Sequence, residues 1–219
     1  MNGQCGRGSK NSLTFGKLKS LKNIRLVSCG VNFTVCVAEE TCYGFGCNIG
    51  FHFGGPDEIC YAHPIELLNC PSHIISIACG FVHTLFLTSE GHVFGCGNNS
   101  YGEVGQNHKL IVESPTVVDG LPPIIGISAG THYSIALAED RTCWMFGENI
   151  LTEENKPIEV PELCDILVLS QGGSTVYAKN YKGEIWEWKV SKASPILLEA
   201  EYFDIIKNLH FKRAKSATK

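Results

Sequence analysis

Little of this chain is charged: 18% of its 219 residues are Asp, Glu, Lys or Arg, and the formal balance is −4. With hydrophobic residues at 44%, that composition belongs to a globular chain and excludes a disordered one. Without a basic excess, a broad nucleic-acid-binding surface is not expected. No apolar run reaches the eighteen residues of a membrane-spanning helix, and the first residues are polar. Neither a membrane span nor a signal peptide is therefore read.

What is present is a repeat. Gly30, Gly80 and Gly130 each close a short apolar run, IRLVSCG, IISIACG and IIGISAG, and stand fifty residues apart. Gly46, Gly97 and Gly147 follow them by 16, 17 and 17 residues, and Gly172 closes a weaker fourth run, DILVLSQG. A period near fifty, met several times in register, indicates a tandem architecture. Each copy reads as four short strands: the run before the Gly, then HTLFLT, YSIALA or FTVCVA, then HVFGCG, TCWMFG or CYGFG, then a segment such as SPTVVDG. Strands this short, rich in β-branched and aromatic residues and punctuated by Gly and Pro, argue for an all-β fold.

The second strand says what surrounds it. Alternate positions are bulky (Phe33, Val35, Val37; His83, Leu85, Leu87; Tyr133, Ile135, Leu137). The positions between them are mostly small (Thr34, Cys36, Ala38; Thr84, Phe86, Thr88; Ser134, Ala136, Ala138). Side chains alternate across a strand, so both faces lack charge and both must be covered. Large side chains meeting small ones between stacked sheets is the pattern of propeller blades.

The expected organisation is one repeat domain over residues 1–209. It comprises a partial unit (1–23), units of about 24–73, 74–123, 124–163 and 164–202, and a partial unit at 203–209, where a short helix is the alternative to a strand. Residues 210–219 read as a basic tail, a solvated end before a nuclear address. In the loop after each third strand, Gly6, Gly55 and Gly105 stand 24, 25 and 25 residues before the next first-strand Gly. Eleven Cys include no Cys-x-x-Cys pair, and the spacing of Cys42 to Cys47 resembles no common zinc motif. Cys29 and Cys79 share a repeat position that Ala129 fills in the third copy, so they read as small core residues with free thiols. Free thiols imply a reducing, intracellular setting, cytoplasmic, nuclear or both.

The series IISIACG, HTL, GHVFGCGNN, YGEVG and SPTVV, between Ile74 and Val118, resembles the regulator of chromosome condensation repeat family. Kelch repeats have a similar period, but Gly54-Gly55 and Gly172-Gly173 fall at different places in the unit. The resemblance implies a β-propeller, seven-bladed in typical members. This chain holds about four to five four-stranded blades, an incomplete or open propeller, whose bare edges invite self-association.

No nucleophile with a base, carboxylate pair or phosphate-cradling loop emerges, so neither catalytic residues, metal nor cofactor are expected. Gly95-x-Gly97 belongs to the repeat and opens no helix. His83 holds a position that Phe33 and Tyr133 fill elsewhere, which marks packing. Trp186 and Trp188, two apart, share a strand face and read as blade-packing residues. Candidate partner-binding positions are Phe81, Val82, Asn98, Asn99, Tyr101, Thr131 and His132, all in loops beside the strand ends; for Asn98 and Asn99, turn capping is the competing role. The expected function is a non-catalytic protein-interaction scaffold binding a protein partner through blade loops. The alternative, implied by the resemblance, is guanine-nucleotide exchange on a small GTPase, the founding member's activity toward Ran. There, acidic loop residues contribute; one class of such positions holds Asn32, Val82, His132 and Ser174 here.

Overall fold

In a computed structural model, residues 3–8, 16–39, 41–56, 59–148, 155–189 and 195–198 are described. The expected partial unit at 203–209 and the tail at 210–219 lie outside them. Four antiparallel sheets of four strands follow one another along the chain, each a meander in sequence order. Blade 1 consists of β1 (Ile24–Cys29), β2 (Phe33–Ala38), β3 (Thr41–Cys47) and β4 (Cys60–Leu67). Blade 2 has β5 (Ile74–Cys79), β6 (His83–Thr88), β7 (Val93–Gly97) and β8 (Val112–Val117). Blade 3 has β9 (Ile124–Ala129), β10 (Tyr133–Ala138), β11 (Cys143–Gly147) and β12 (Ile158–Glu159). Blade 4 has β13 (Ile166–Gly172), β14 (Thr175–Asn180), β15 (Ile185–Lys189) and β16 (Ile196–Leu198). First strands neighbour one another, β1 beside β5, β5 beside β9 and β9 beside β13, so the blades fan from a shared axis as an open arc.

The core is three separate layers, one at each junction between blades. Phe33, Val35 and Val37 of blade 1 pack with Ile74 and Phe86 of blade 2. Leu85 and Leu87 pack with Ile124, Ala136 and Ala138 of blade 3. Tyr133, Ile135 and Leu137 pack with Val176, Ala178 and Trp188 of blade 4, and Trp186 leans on the same cluster. In every junction the bulky set points forward along the chain and the opposite set points back. Burying one Leu such as Leu85 contributes about 1.5–3 kcal/mol, so each junction is held mainly by a handful of such side chains.

Two glycine positions are dictated by close approach. A Cβ on Gly80 would fall 2.2 Å from the His83 ring and 2.6 Å from the carbonyl of Gly130 in the next blade. Gly30 and Gly130 sit in the same way against the rings of Phe33 and Tyr133. At the end of the third strand Gly46, Gly97 and Gly147 take φ of +103°, +114° and +107°, where a side chain is strained. That conformation turns the next N–H back: Cys47, Asn98 and Glu148 donate to the carbonyls of Asn32, Val82 and His132.

A recurring hydrogen bond ties neighbouring blades. The hydroxyls of Thr34, Thr84 and Ser134 donate to the carbonyls of Gln4, His52 and Glu103, at 2.9, 2.7 and 2.7 Å. Each carbonyl lies two residues before a turn glycine, and those glycines are Gly6, Gly54 and Gly105, whose N–H groups each close the same turn. The equivalent of Gly6 and Gly105 is therefore Gly54, not Gly55 as the spacing predicts. Two adjacent glycines satisfy the count equally, and the turn hydrogen bond from Gly54 to the Phe51 carbonyl separates them.

The eleven cysteines are free, and Cys36, Cys42, Cys47, Cys96 and Cys143 are buried. Cys79 is half-buried against the layer between blades 1 and 2. Its repeat equivalent Cys29 is exposed, not the core residue the equivalence implies, since among the described residues no blade packs on that flank of β1. Replacing Gly80 by Ala is expected to lower stability by about 3 kcal/mol in urea unfolding, since His83 and the Gly130 backbone cannot both yield. Gly120→Ala, where a Cβ meets nothing within 4 Å, is expected to cost about 1 kcal/mol or less, from its φ of +82° alone.

Candidate partner-binding mouth of blades 2 and 3

The turns between first and second strands and the loops after third strands lie at one end of the arc. There the Gly30–Val31, Gly80–Phe81 and Gly130–Thr131 turns border a shallow cavity of about 280 Å³. The turns are tied together through the backbone: Phe81 N–H donates to Gly130, and Thr131 N–H to Gly173 of blade 4. The surface is thus set by blade stacking rather than by loop choice.

Three of the residues singled out by sequence converge here. The rings of Tyr101 and His132 have centroids 4.5 Å apart, and Phe81 lies 5.8 Å from His132 on another side. Phe81 and Tyr101 are exposed, and His132 between them is partly so. Val82, Asn98 and Thr131 border the cluster by their backbones, and all three are half-buried. Asn98 Oδ1 accepts the Ser100 N–H at 2.8 Å, which rigidifies the turn into the Tyr101 loop. Asn99 is fully buried. Its Oδ1 accepts the Val104 N–H at 2.9 Å and its amide donates to the His108 carbonyl. Its repeat equivalent Asn48 does the same work in blade 1, donating to Gly54 and Pro56 carbonyls and accepting from Phe53 N–H. Asn99 holds the loop's shape from inside and presents no polar atom to a partner.

Sequence reasoning missed Glu103. It is fully buried beneath the aromatic cluster; Oε2 accepts the Tyr101 N–H at 2.8 Å. Oε1 has no hydrogen-bond partner and lies 3.8 Å from His132 Nδ1, likewise without one. Burial pushes the carboxyl up to about 7, and the Glu148 charge adds to the effect against its backbone hydrogen bonds. The available signal was positional: Glu103 stands at the repeat position of Gln4 and His52, a carboxylate amid Tyr-Gly and Val-Gly.

Under this surface His83 joins the blades. Ser134 Oγ donates to the Glu103 carbonyl and lies 2.9 Å from His83 Nε2, so the imidazole carries its proton on Nε2. Burial drives its basicity down to about 3, helped by His132 and His52. A fully buried neutral imidazole between two blades is a packing group with one hydrogen bond, not an exposed base. Among the described residues no group of three or more His, Cys, Asp or Glu is placed to hold a metal ion.

Residues 74–103 and 90–137 each match the family described as Regulator of chromosome condensation (RCC1) repeat. The chain is 30% identical over 136 residues to the RCC1 domain-containing protein RUG3, mitochondrial, of Arabidopsis thaliana, covering 60% of this chain and 31% of that protein. To the Regulator of chromosome condensation of Xenopus laevis it is 29% identical over 164 residues, covering 67% and 39%. To the Secretion-regulating guanine nucleotide exchange factor of Bos taurus it is 28% identical over 162 residues, covering 68% and 34%. Among solved structures, human WBSCR16 superposes with a TM-score of 0.72 at 22% identity, over 82% of this chain and 53% of that one. Yeast RCC1 (Prp20), solved bound to Kap60, superposes at 0.68 with 19% identity, over 91% and 49%. The chain thus spans about a third of the first of these relatives and about half of each solved chain.

Because the Glu103 carboxyl is held as the acid more tightly when folded than when unfolded, its contribution to stability is full below its ordinary value of 4.5. The contribution is lost as pH rises through about 7. Glu103→Gln keeps the acceptor for Tyr101 and removes the ionisation. It is expected to unfold like the parent chain at pH 4 and to be more stable by about 1–3 kcal/mol at pH 8. An offset that does not change with pH would refute the buried-carboxyl assignment.

Proposed function

We propose that this chain, which belongs to the regulator of chromosome condensation repeat family, is a non-catalytic interaction module that grips a protein partner at the mouth of blades 2 and 3. The observation that carries this reading is the cluster of Phe81, Tyr101 and His132, two exposed aromatics and an imidazole on loops pinned from within by Asn99 and Gly97. Rings held in place before binding lose little entropy when a partner covers them, so such residues become energetic anchors. Loops on a stacked scaffold are where recognition concentrates. An intracellular setting accords with eleven free thiols.

A second reading is nucleotide exchange on a small GTPase. What favours it is the similarity to the Secretion-regulating guanine nucleotide exchange factor of Bos taurus. Against it, the turn positions Asn32, Val82, His132 and Ser174 hold no acid, and Glu103 is buried under His132, although Glu148 beside it is exposed. The scaffold reading is the one supported by exposed chemistry.

Captured partners identified by mass spectrometry from a cell lysate, with Phe81→Ser and Tyr101→Ser variants alongside, test the choice. The variants are expected to keep the β circular-dichroism spectrum and to lose about tenfold or more in affinity for the captured protein. Release of a fluorescent nucleotide from a panel of small GTPases, Ran included, is expected to be unchanged by the chain. Accelerated release would establish the exchange reading in its place.

A further inference from the structure

Blade 1 holds two cysteines that the repeat does not ask for. Cys47 ends β3, Cys60 begins β4, and the antiparallel register sets them directly opposite each other. Among the described strand pairings no other cysteine faces a cysteine. In blade 2 the same two places hold Asn98 and Ile111, since Gly97 opposes Val112 as Gly46 opposes Tyr61. That blade stacks without sulfur there, so packing does not account for the pair.

The ladder also fixes how close the two come. Asn48 N–H donates to the Ile59 carbonyl at 3.0 Å, which makes Asn48 and Ile59 a hydrogen-bonded pair. Such pairs alternate with non-hydrogen-bonded ones, so Cys47 and Cys60 are of the second kind, with Cα atoms about 4.5 Å apart. A disulfide spans Cα separations of about 4.4–6.8 Å, and one at the short end of that range is easily reduced. Both side chains leave the ladder on one face, and the two thiols are hydrogen-bonded to each other. The backbone around them is braced. Cys47 N–H donates to the Asn32 carbonyl at 2.7 Å, and the Asn48 amide donates to the carbonyls of Gly54 and Pro56.

Exposure divides the roles. Cys60 is exposed and Cys47 buried, so a reagent in solution meets Cys60 first and Cys47 stands behind it to resolve the product. The thiols of Cys42 and Cys70 also touch, but Cys42 is buried and Cys70 half-buried against the layer between blades 1 and 2. Neither of those is open to attack.

We propose that Cys47 and Cys60 form a reversible thiol–disulfide site whose substrate is a small disulfide oxidant of the oxidised-glutathione class. The Cys60 thiolate attacks one sulfur of the oxidant. The S–S bond breaks, and the other half leaves as a thiolate that takes up the proton Cys60 gave up. The Cys47 thiolate then attacks the Cys60 sulfur of the mixed disulfide and expels the second half in the same way. Two protein thiols lose two electrons, and one small disulfide becomes two thiols. The new bond closes the base of the loop that carries the His52 carbonyl, the acceptor for Thr84 of blade 2. The inference rests on the register of blade 1 and not on the mouth between blades 2 and 3.

The full chain, reduced and freed of reductant, is incubated with oxidised glutathione, quenched with N-ethylmaleimide and digested without reduction for mass spectrometry. Cleavage after glutamate cuts at Glu58, between the two cysteines, and at Glu66, between Cys60 and Cys70. The expected product joins peptides 41–58 and 59–66 with the loss of two hydrogens, retains no glutathione on either cysteine, and reverts with dithiothreitol. Fragmentation is expected to place the bond on Cys47 rather than Cys42. Cys47→Ser should halt at the mixed disulfide on Cys60, and Cys60→Ser should leave Cys47 a free thiol, with circular-dichroism spectra unchanged. Should a variant fold poorly, the digest of the parent chain decides alone. Glutathione retained on Cys60 of the parent, a bond from either cysteine to a different one, or both thiols still free would overturn the inference.

Discussion

The sheets of blades 1 to 3 are apolar on both flanks, and that single constraint organises everything else. A four-stranded meander with two uncharged faces cannot be stable in water alone; it must be sandwiched. Bulky residues pointing forward and smaller ones pointing back let identical units nest in one direction, as Leu85 and Leu87 nest against Ala136 and Ala138. Stability is then a sum over junctions, and each junction is only as good as the neighbour that completes it.

The polar groups follow from the same nesting. Once two flanks are in contact, the backbone at the end of each blade is trapped and must be satisfied locally. The hydroxyls of Thr84 and Ser134 meet that need at the first two junctions and Thr34 meets it against the amino-terminal segment, while Asn48 and Asn99 knit the loops that supply the acceptors His52 and Glu103. The mouth chemistry is a by-product of that scaffolding. Phe81, Tyr101 and His132 meet because blade 2 presents two loops at the edge it shares with blade 3, and Glu103 is buried because its own carbonyl is the acceptor for Ser134.

Much of this was legible in the chain. The spacing of Gly30, Gly80 and Gly130 marked the blades, and alternation in FTVCVA, HTLFLT and YSIALA assigned both flanks, including the place of His83 as a packing residue. What failed did so for identifiable reasons. Gly54 and Gly55 differ by one residue, and counting cannot see which closes a turn. Cys29 matches Cys79 in sequence, but a repeat position carries no information on whether a neighbour exists to bury it. Glu103 escaped notice because nothing local reveals that the loop's carbonyl, and so its side chain, faces inward. Tyr177 and Lys179 were readable as a break in the apolar pattern, a signal visible only once register aligned them with Val35 and Val37.

A double-mutant cycle across the junction of blades 2 and 3 addresses the nesting directly. Leu85→Ala and Ala136→Leu are made singly and together, and stability is read by urea unfolding. Nested flanks predict that each single change is destabilising, by about 2–4 kcal/mol for the first and about 1–3 for the second. The double variant should recover at least about 1 kcal/mol relative to their sum. Strictly additive losses would show that these two positions do not share a junction, and the stacked-blade account would fail with them.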